Sequence, residues 1–404
     1  MNKIIVVGGG HAGAQFCASL VEAQLPAQVV LISDEAHLPY QRPPLSKTYL
    51  KDDAPEPAWL RSESFYADNG AVLRLTSRVE DIDRAGKTVG LASGERLPYD
   101  TLVLATGTRA RTLPLFDGGY SNVFTLRTLD DAVRLRGTMQ SASRVLVVGG
   151  GFIGLEIAAT SVLLGKAVTL LEAAPRLLGR SVSSEVSDYL LETHRKSGVD
   201  IRLESVADRV EVSDGAITGV WVADELLPVD LVVVGIGAVP NTELAEAAGL
   251  ECHNGVVVDA YMRTSDPDIL AIGDCTAFPS SWLGRRVRLE SVQNANDQAR
   301  CAVQTIAGKQ EPYTALPWFW SDQGAVRIQI AGIPEQTHRR VVRGEPGQGK
   351  FSVLYFDGEV LTSVESINSA ADHIAARKLI ASGVAVPADR AADPAVPLKT
   401  LGQS

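Results

Sequence analysis

The sequence is poor in cysteine, and its four (Cys17, Cys252, Cys275 and Cys301) form no C-x-x-C or C-x₄-C pair. That excludes a disulfide framework, the ligand spacing of a structural zinc site and a redox-active cysteine pair. Unpaired cysteines at this frequency point to a reducing, cytoplasmic setting. Basic charge is also short: 38 Lys and Arg stand against 48 Asp and Glu, a net charge of −10. A general nucleic-acid binder needs a dominant basic face, so that class is set aside. Two local basic clusters, Arg285/Arg286/Arg288 and Arg339/Arg340/Arg343, read first as solvated surface. No apolar stretch reaches the ~18 residues of a membrane span, and no membrane partner is expected. The apolar opening Ile4–Val7 is broken at once by Gly8, Gly9 and Gly10, which reads as a strand entering a turn rather than a signal peptide.

What is present is glycine, 36 residues of it in a chain of 404, much of it at the ends of apolar runs. The length implies two or three domains. One unit occurs twice. Ile4–Val7 leads into Gly8-x-Gly10-x-x-Gly13, a helix-compatible stretch and a second apolar run, Val29–Ile32, ending at Ser33, Asp34 and Glu35. Val145–Val148 leads into Gly149-x-Gly151-x-x-Gly154, another such stretch, and Val168–Leu171 ending at Glu172. Near-continuous β-branched strands around a helix imply a parallel sheet, and two units imply two dinucleotide sites. The chemistry is local: the first glycine allows the tight turn, the second admits pyrophosphate to the helix N-terminus, and the third lets helix pack on strand.

The acid after the second strand addresses the ribose. Asp34 is preferred in the first unit, with Glu35 a candidate. Glu172 in the second can accept both hydroxyls of NAD and would repel the 2′-phosphate of NADP, although Arg176 nearby softens that preference. Further strands are expected at Thr101–Ala105, Leu231–Val234 and Ile269–Ile272, each followed by glycine (Gly107, Gly235, Gly273). From Pro317 the pattern shifts to alternating runs, Val326–Ile330 and Phe351–Phe356, which suggest an antiparallel sheet, then a helix from about Ala370 to Ala381. The Pro- and Ala-rich tail from Val384 reads as an exposed, loosely held end.

Longer segments carry a family resemblance. Thr264–Asp274, an apolar strand delivering Gly273-Asp274, resembles the FAD-contacting segment of the FAD-dependent pyridine-nucleotide oxidoreductases. Arg42-Pro43-Pro44-Leu45-Ser46-Lys47, Leu289-Glu290-Ser291-Val292-Gln293-Asn294-Ala295 and Trp318-Phe319-Trp320-Ser321-Asp322 resemble segments of the NADH:ferredoxin reductases that serve bacterial P450s and aromatic-ring dioxygenases. The resemblance runs from Lys3 to about Leu398. It implies an α/β fold of two Rossmann-type, glutathione-reductase-like domains with a C-terminal α+β domain. Because the Asp274 segment follows the second fingerprint, the FAD domain is expected to be discontinuous, over 1–110 and 237–316. The NAD domain is then 111–236 and the C-terminal domain 317–404.

By the same resemblance FAD is held at Gly8, Gly10, Gly13, Thr106, Gly107, Asp274 (ribityl chain) and Arg127 (phosphate region). Pro44 packs near the isoalloxazine, and the Lys47 ammonium lies near flavin N5, where a cation stabilises charge on the reduced ring. Glu156 contacts the nicotinamide amide and pairs with Lys47, Phe152 shields the flavin face, and Trp320 flanks the electron exit. Glu290, Ser291 and Val292 precede a helix N-terminus facing flavin O2. Ala12, Val79, Ala105, Gly273, Ile153 and Gly237 complete the cofactor-contacting set beside Gly149, Gly151, Gly154 and Glu172. The implied activity is transfer from NADH through FAD to a [2Fe-2S] ferredoxin, steered by a basic rim of Arg61, Arg285, Arg286, Arg288 and Arg300. A same-fold reductase of rubredoxin, a quinone or oxygen, and a signalling flavoprotein like apoptosis-inducing factor, stand as alternatives. No metal site is expected.

Overall fold

The computed structural model describes residues 2–51, 55–335 and 337–402. The chain forms two compact units. Unit 1 is Met1–Gln41, Pro57–Arg109 and Val239–Pro317; unit 2 is Arg42–Glu56, Ala110–Ala238 and Trp318–Ser404. The short segment Arg42–Glu56 therefore groups with the second fingerprint and the C-terminal region, and the latter two share one unit.

Unit 1 is built on a parallel sheet. Strand β1 (Asn2–Val7) feeds helix α1 (His11–Glu22), which returns to β2 (Ala27–Ile32); β3 (Ala71–Arg74) and β4 (Thr101–Leu104) follow. The strand order is Ile269–Ala271, β4, β1, β2, β3. Ile4, Ile5, Val6, Leu102, Val103 and Leu104 are buried, because both faces of a parallel sheet are covered. From β1 the chain moves first to β2 and β3 on one side and later to β4 on the other. The carboxyl end of β1 is thus a topological switch point, the usual seat of a ligand in an open α/β sheet.

Unit 2 repeats that plan. Its strands are β5 (Val123–Phe124) and β6 (Arg144–Val148), then β7 (Ala167–Leu171) after helix α2 (Phe152–Leu163), and β8 (Val199–Arg202) after helix α3 (Ser184–Lys196); β9 (Leu231–Val234) follows. The order β8-β7-β6-β9-β5 again puts the fingerprint strand at the switch point. The unit adds an antiparallel sheet of β10 (Trp318–Gln323), β11 (Val326–Ala331), β12 (Arg339–Glu345), β13 (Lys350–Asp357) and β14 (Val360–Ile367), in the order β10-β11-β14-β13-β12, followed by α4 (Ala370–Ser382).

Helix α3 is tied to this sheet at both ends. At its start the Ser183 N–H donates to both carboxylate oxygens of Glu365 at 3.0 Å, and Tyr355 donates to the same carboxylate at 2.8 Å. Burial pushes the Glu365 carboxyl up from its ordinary value, against the pull of those donors. At its end His194 meets Gln323 of β10 at 2.8 Å.

The tail departs from its expected loose state. Arg343, from a cluster read as solvated surface, is buried and donates to the carbonyls of Ala391 and Asp393 while pairing with Asp372 at 3.0 Å. Val386, Ala391 and Leu398 are buried, and residues 388–392 form a short helix. A buried guanidinium needs several acceptors, and folding the tail over it supplies them. Among the described residues no helix is long and apolar enough to cross a membrane.

Candidate active site

The two fingerprint helices share a glycine cap that distinguishes them from three of the longer helices. Helix 129–141, α3 and helix 292–306 are each capped by a side-chain oxygen, from Thr128, Ser183 and Ser291 respectively. Helices α1 and α2 carry Gly10 and Gly151 at the cap, have no side-chain cap bond, and have no acid in the first turn. Their first N–H groups and positive dipole ends are left for an anion.

Gly8 (φ +123°) and Gly149 (φ +109°) hold conformations that side chains rarely adopt. A Cβ at Gly13 would stand 2.1 Å from the Gly8 carbonyl oxygen, and one at Gly154 would stand 2.0 Å from that of Gly149. These are the close helix–strand approaches expected of the third glycine. At Gly151 the situation is reversed, since an added Cβ would meet nothing nearer than the Gly235 carbonyl oxygen at 3.7 Å. An added methyl group would therefore meet only ordinary van der Waals contact from the protein.

Most of the residues that the resemblance assigns to FAD lie in unit 1. Ala12, Val79 and Ala105 are buried. Thr106 and Gly107 at the end of β4 are clasped by Asn241, whose Nδ2 donates to the Thr106 carbonyl and whose N–H donates to that of Gly107. Gly273 (φ +83°) turns the chain beside Ala12 and delivers the half-buried Asp274. Gln298 accepts from the Gly273 N–H at 2.7 Å, while its own buried Nε2 donates to no described group. Such an orphan donor beside Asp274 suits an acceptor-rich ligand. Sequence reasoning missed both Asn241 and Gln298.

Asp34 is exposed, whereas Glu35 is half-buried and accepts from the Tyr40 hydroxyl at 2.5 Å. Ser291 spends its hydroxyl on the Asn294 N–H at 3.0 Å, which leaves the N–H of Val292 at the helix start. Glu290 is exposed and pairs with Arg288 at 2.6 Å.

Unit 2 holds the second constellation. Pro44 lies in a 3₁₀ turn, Pro43–Ser46, that ends at Lys47. The Lys47 ammonium is 2.6 Å from Glu156 Oε2 and donates to the Pro43 carbonyl at 3.0 Å. Glu156 is buried in α2, and its two oxygens also accept from Ser46 Oγ at 2.5 Å and Ser321 Oγ at 2.6 Å. A buried carboxylate stays charged only when further donors satisfy it, and here they do.

Phe152, Glu156 and Thr160 fall on one face of α2 by the helical repeat. Phe319, Ser321 and Gln323 share one face of β10 by the strand repeat. The faces meet: Phe152 packs edge-on to Phe319 with centroids 4.7 Å apart, and Ser321 reaches Glu156. Trp320, on the opposite face of β10, stacks on Trp318 at 5.7 Å.

Gly237 (φ +104°) accepts from the Arg111 N–H, and Ile153 is exposed at the α2 start. Arg127 receives the Arg42 guanidinium on its carbonyl at 2.7 Å. Glu172 accepts from the N–H groups of Gly150 and Ala174, both at 2.7 Å, so it braces the fingerprint loop.

The thiols are all held toward their protonated form. All four cysteines are free, and burial pushes Cys17 up to about 12 and Cys252 and Cys301 up to about 11. Protonated thiols at such values are poor nucleophiles. Among the described residues no cluster could hold a metal ion.

Comparison with known proteins gives the context. The family model "Pyridine nucleotide-disulphide oxidoreductase" matches residues 2–299, and "Reductase C-terminal" matches 318–402. The chain is 43% identical to the 5,5'-dehydrodivanillate O-demethylase ferredoxin reductase subunit of Sphingobium sp., over 98% of this chain and 97% of that protein. It is 42% identical to rhodocoxin reductase of Rhodococcus erythropolis, over 98% and 93%. The covalent putidaredoxin reductase–putidaredoxin complex contains a chain that superposes with a TM-score of 0.96 at 39% identity, covering 99% of this chain and 98% of that one.

Proposed function

Because this chain belongs to the pyridine nucleotide-disulphide oxidoreductase family, we propose that it is an NADH-dependent reductase passing electrons through FAD to a [2Fe-2S] ferredoxin. That ferredoxin would serve a P450 or a ring-hydroxylating oxygenase. The family uses FAD and a pyridine nucleotide, and the two uncapped glycine helices fit one dinucleotide each. In this reading FAD belongs to the 1–110 and 237–316 segments and NADH to 111–236.

The observation that carries the proposal is the Lys47–Glu156 pair, whose buried carboxylate lies one turn past Phe152 in the helix of the second fingerprint. FAD, when bound, supplies a store that takes two electrons at once and releases them singly. The protein supplies the rest. Gly8, Gly10 and Gly13 seat its pyrophosphate, Glu35 is the better placed ribose acceptor than exposed Asp34, and Asp274 takes the ribityl chain. The Gly149–Gly154 loop and Glu172 seat NADH, and Glu156 orients the nicotinamide amide. Lys47, fixed by Glu156 and the Pro43 carbonyl, presents positive charge where negative charge accumulates. One NADH reduces two ferredoxins and releases one proton.

A cytoplasmic site of action accords with the four unpaired thiols. For ferredoxin docking, Arg61, Arg285 and Arg300 are the favoured cations; Arg300 pairs with Asp297 at 2.6 Å but keeps a side chain 51% exposed. Arg286 spends its guanidinium on the carbonyls of Val258 and Ala277, and Arg288 is locked to Glu290 with a side chain only 13% exposed. An acceptor screen under NADH tests the assignment: ferredoxin should be reduced far faster than rubredoxin, quinone or oxygen. Preference for any of the latter would refute it.

A further inference from the structure

Behind the Lys47–Glu156 pair the buried polar contacts continue. Ser321 Oγ, which donates to Glu156 Oε1 at 2.6 Å, accepts from Gln323 Nε2 at 3.3 Å. Gln323 Oε1 in turn lies 2.8 Å from His194 Nε2. All four side chains are buried: Glu156, Ser321, Gln323 and His194 are 4%, 1%, 3% and 3% exposed. Three elements contribute, α2, β10 and the last turn of α3.

The donor directions are set by chemistry. The amide oxygen of Gln323 can only accept, so His194 must carry its proton on Nε2. The amide nitrogen can only donate, so it donates to Ser321 Oγ, whose hydroxyl proton is then committed to Glu156. Every link therefore points its hydrogen toward one carboxylate oxygen. Burial lowers the His194 pKa, which favours the neutral ring.

We propose that Ser321, Gln323 and His194 are positioning residues that hold the Glu156 carboxylate in the orientation that presents Lys47 to the flavin and the nicotinamide to Glu156. Glu156 Oε2 is taken by Lys47 and Ser46, and Oε1 is taken by Ser321. With donors on both oxygens the carboxylate plane is fixed; with Oε1 released it turns, and Lys47 turns with it. The strand repeat makes this possible, because Ser321 and Gln323 sit two apart on one face of β10. The inference rests on the reading that Glu156 works at the flavin, and NADH reduction of the wild-type flavin tests that reading separately.

The test uses the FAD-loaded full chain. Removing a hydrogen bond to a charged group costs enough for Ser321→Ala to slow the limiting rate of flavin reduction by NADH about ten-fold. Gln323→Met, which keeps nearly the same volume, should slow it less, and His194→Phe least. The flavin midpoint potential should shift in the same order. Ser321→Thr, which restores the hydroxyl, and His194→Gln, which restores the donor, should recover both readouts. In ¹⁵N-histidine NMR of the oxidised protein, His194 should be the neutral Nε2–H tautomer near pH 7. If Ser321→Ala fails to fold, Gln323→Met and the His194 pair decide the matter. The proposal is overturned if the folded variants keep wild-type rate and potential, if the effects lack that order, or if His194 carries its proton on Nδ1.

Discussion

Gly151→Ala separates a binding role from a folding role with one methyl group. Gly151 caps α2 with φ −80° and ψ 179°, extended backbone that alanine adopts without strain. The added Cβ would touch nothing in the protein closer than 3.7 Å. Stability should therefore stay within about 0.5 kcal/mol of wild type. If a pyrophosphate occupies that space, the methyl group must displace it from the first N–H groups of α2. Overpacking of this kind costs about 1–3 kcal/mol, which is a ~5–150-fold weaker NADH affinity. Gly154→Ala is the contrast: its Cβ would lie 2.0 Å from a backbone oxygen, so it should lose stability and binding together. The assay pairs thermal unfolding with anaerobic stopped-flow reduction at varied NADH, which yields an affinity separate from the limiting rate. Wild-type NADH affinity in Gly151→Ala would refute the placement of the pyrophosphate there.

Glu172→Ala should weaken NADH by about ten-fold and narrow the preference over NADPH if, as proposed, the carboxylate addresses the ribose as well as bracing Gly150; equal loss for both nucleotides would leave only the bracing role. Arg61→Glu combined with Arg300→Glu should raise the apparent KM for ferredoxin several-fold, more at low salt, while NADH–ferricyanide activity is retained. His373 gives a pH prediction. It is buried beside Trp318, both ring nitrogens lack partners among the described residues, and burial lowers its pKa from 6.5 to about 4. The unfolded chain binds the extra proton between those values, so this stability is present above pH 6.5 and lost as pH falls toward 4. After discounting for screening the loss is on the order of 2 kcal/mol. Urea titrations at pH 7 and pH 5 should show His373→Leu losing less than wild type.

Much of the fold was legible because it rests on local signals. The glycine fingerprints, the β-branched strands and the alternating runs after Pro317 each have a short period, and the strands Val326–Ala331 and Lys350–Asp357 lie where the alternation put them. The Lys47–Glu156 partnership was legible only through resemblance, since no periodicity links positions so far apart. The unreadable parts are long-range. Nothing local marks Gln323 as the partner of His194, Asn241 as the clasp on Thr106, or Arg343 as the anchor of a tail that composition alone makes look loose. Which of Asp34 and Glu35 turns inward is long-range as well. A strand end fixes where acids occur, but which one turns inward depends on Tyr40, and that contact is tertiary.

The most direct measurement is sequential-mixing stopped flow under anaerobic conditions. The FAD-loaded protein is first mixed with one equivalent of NADH and then with excess oxidised [2Fe-2S] ferredoxin. The account predicts bleaching of the flavin band in the first mix. It predicts its recovery in the second, with two ferredoxins reduced per flavin. A flavin that NADH does not bleach, or one that bleaches and is not reoxidised by ferredoxin, would contradict it.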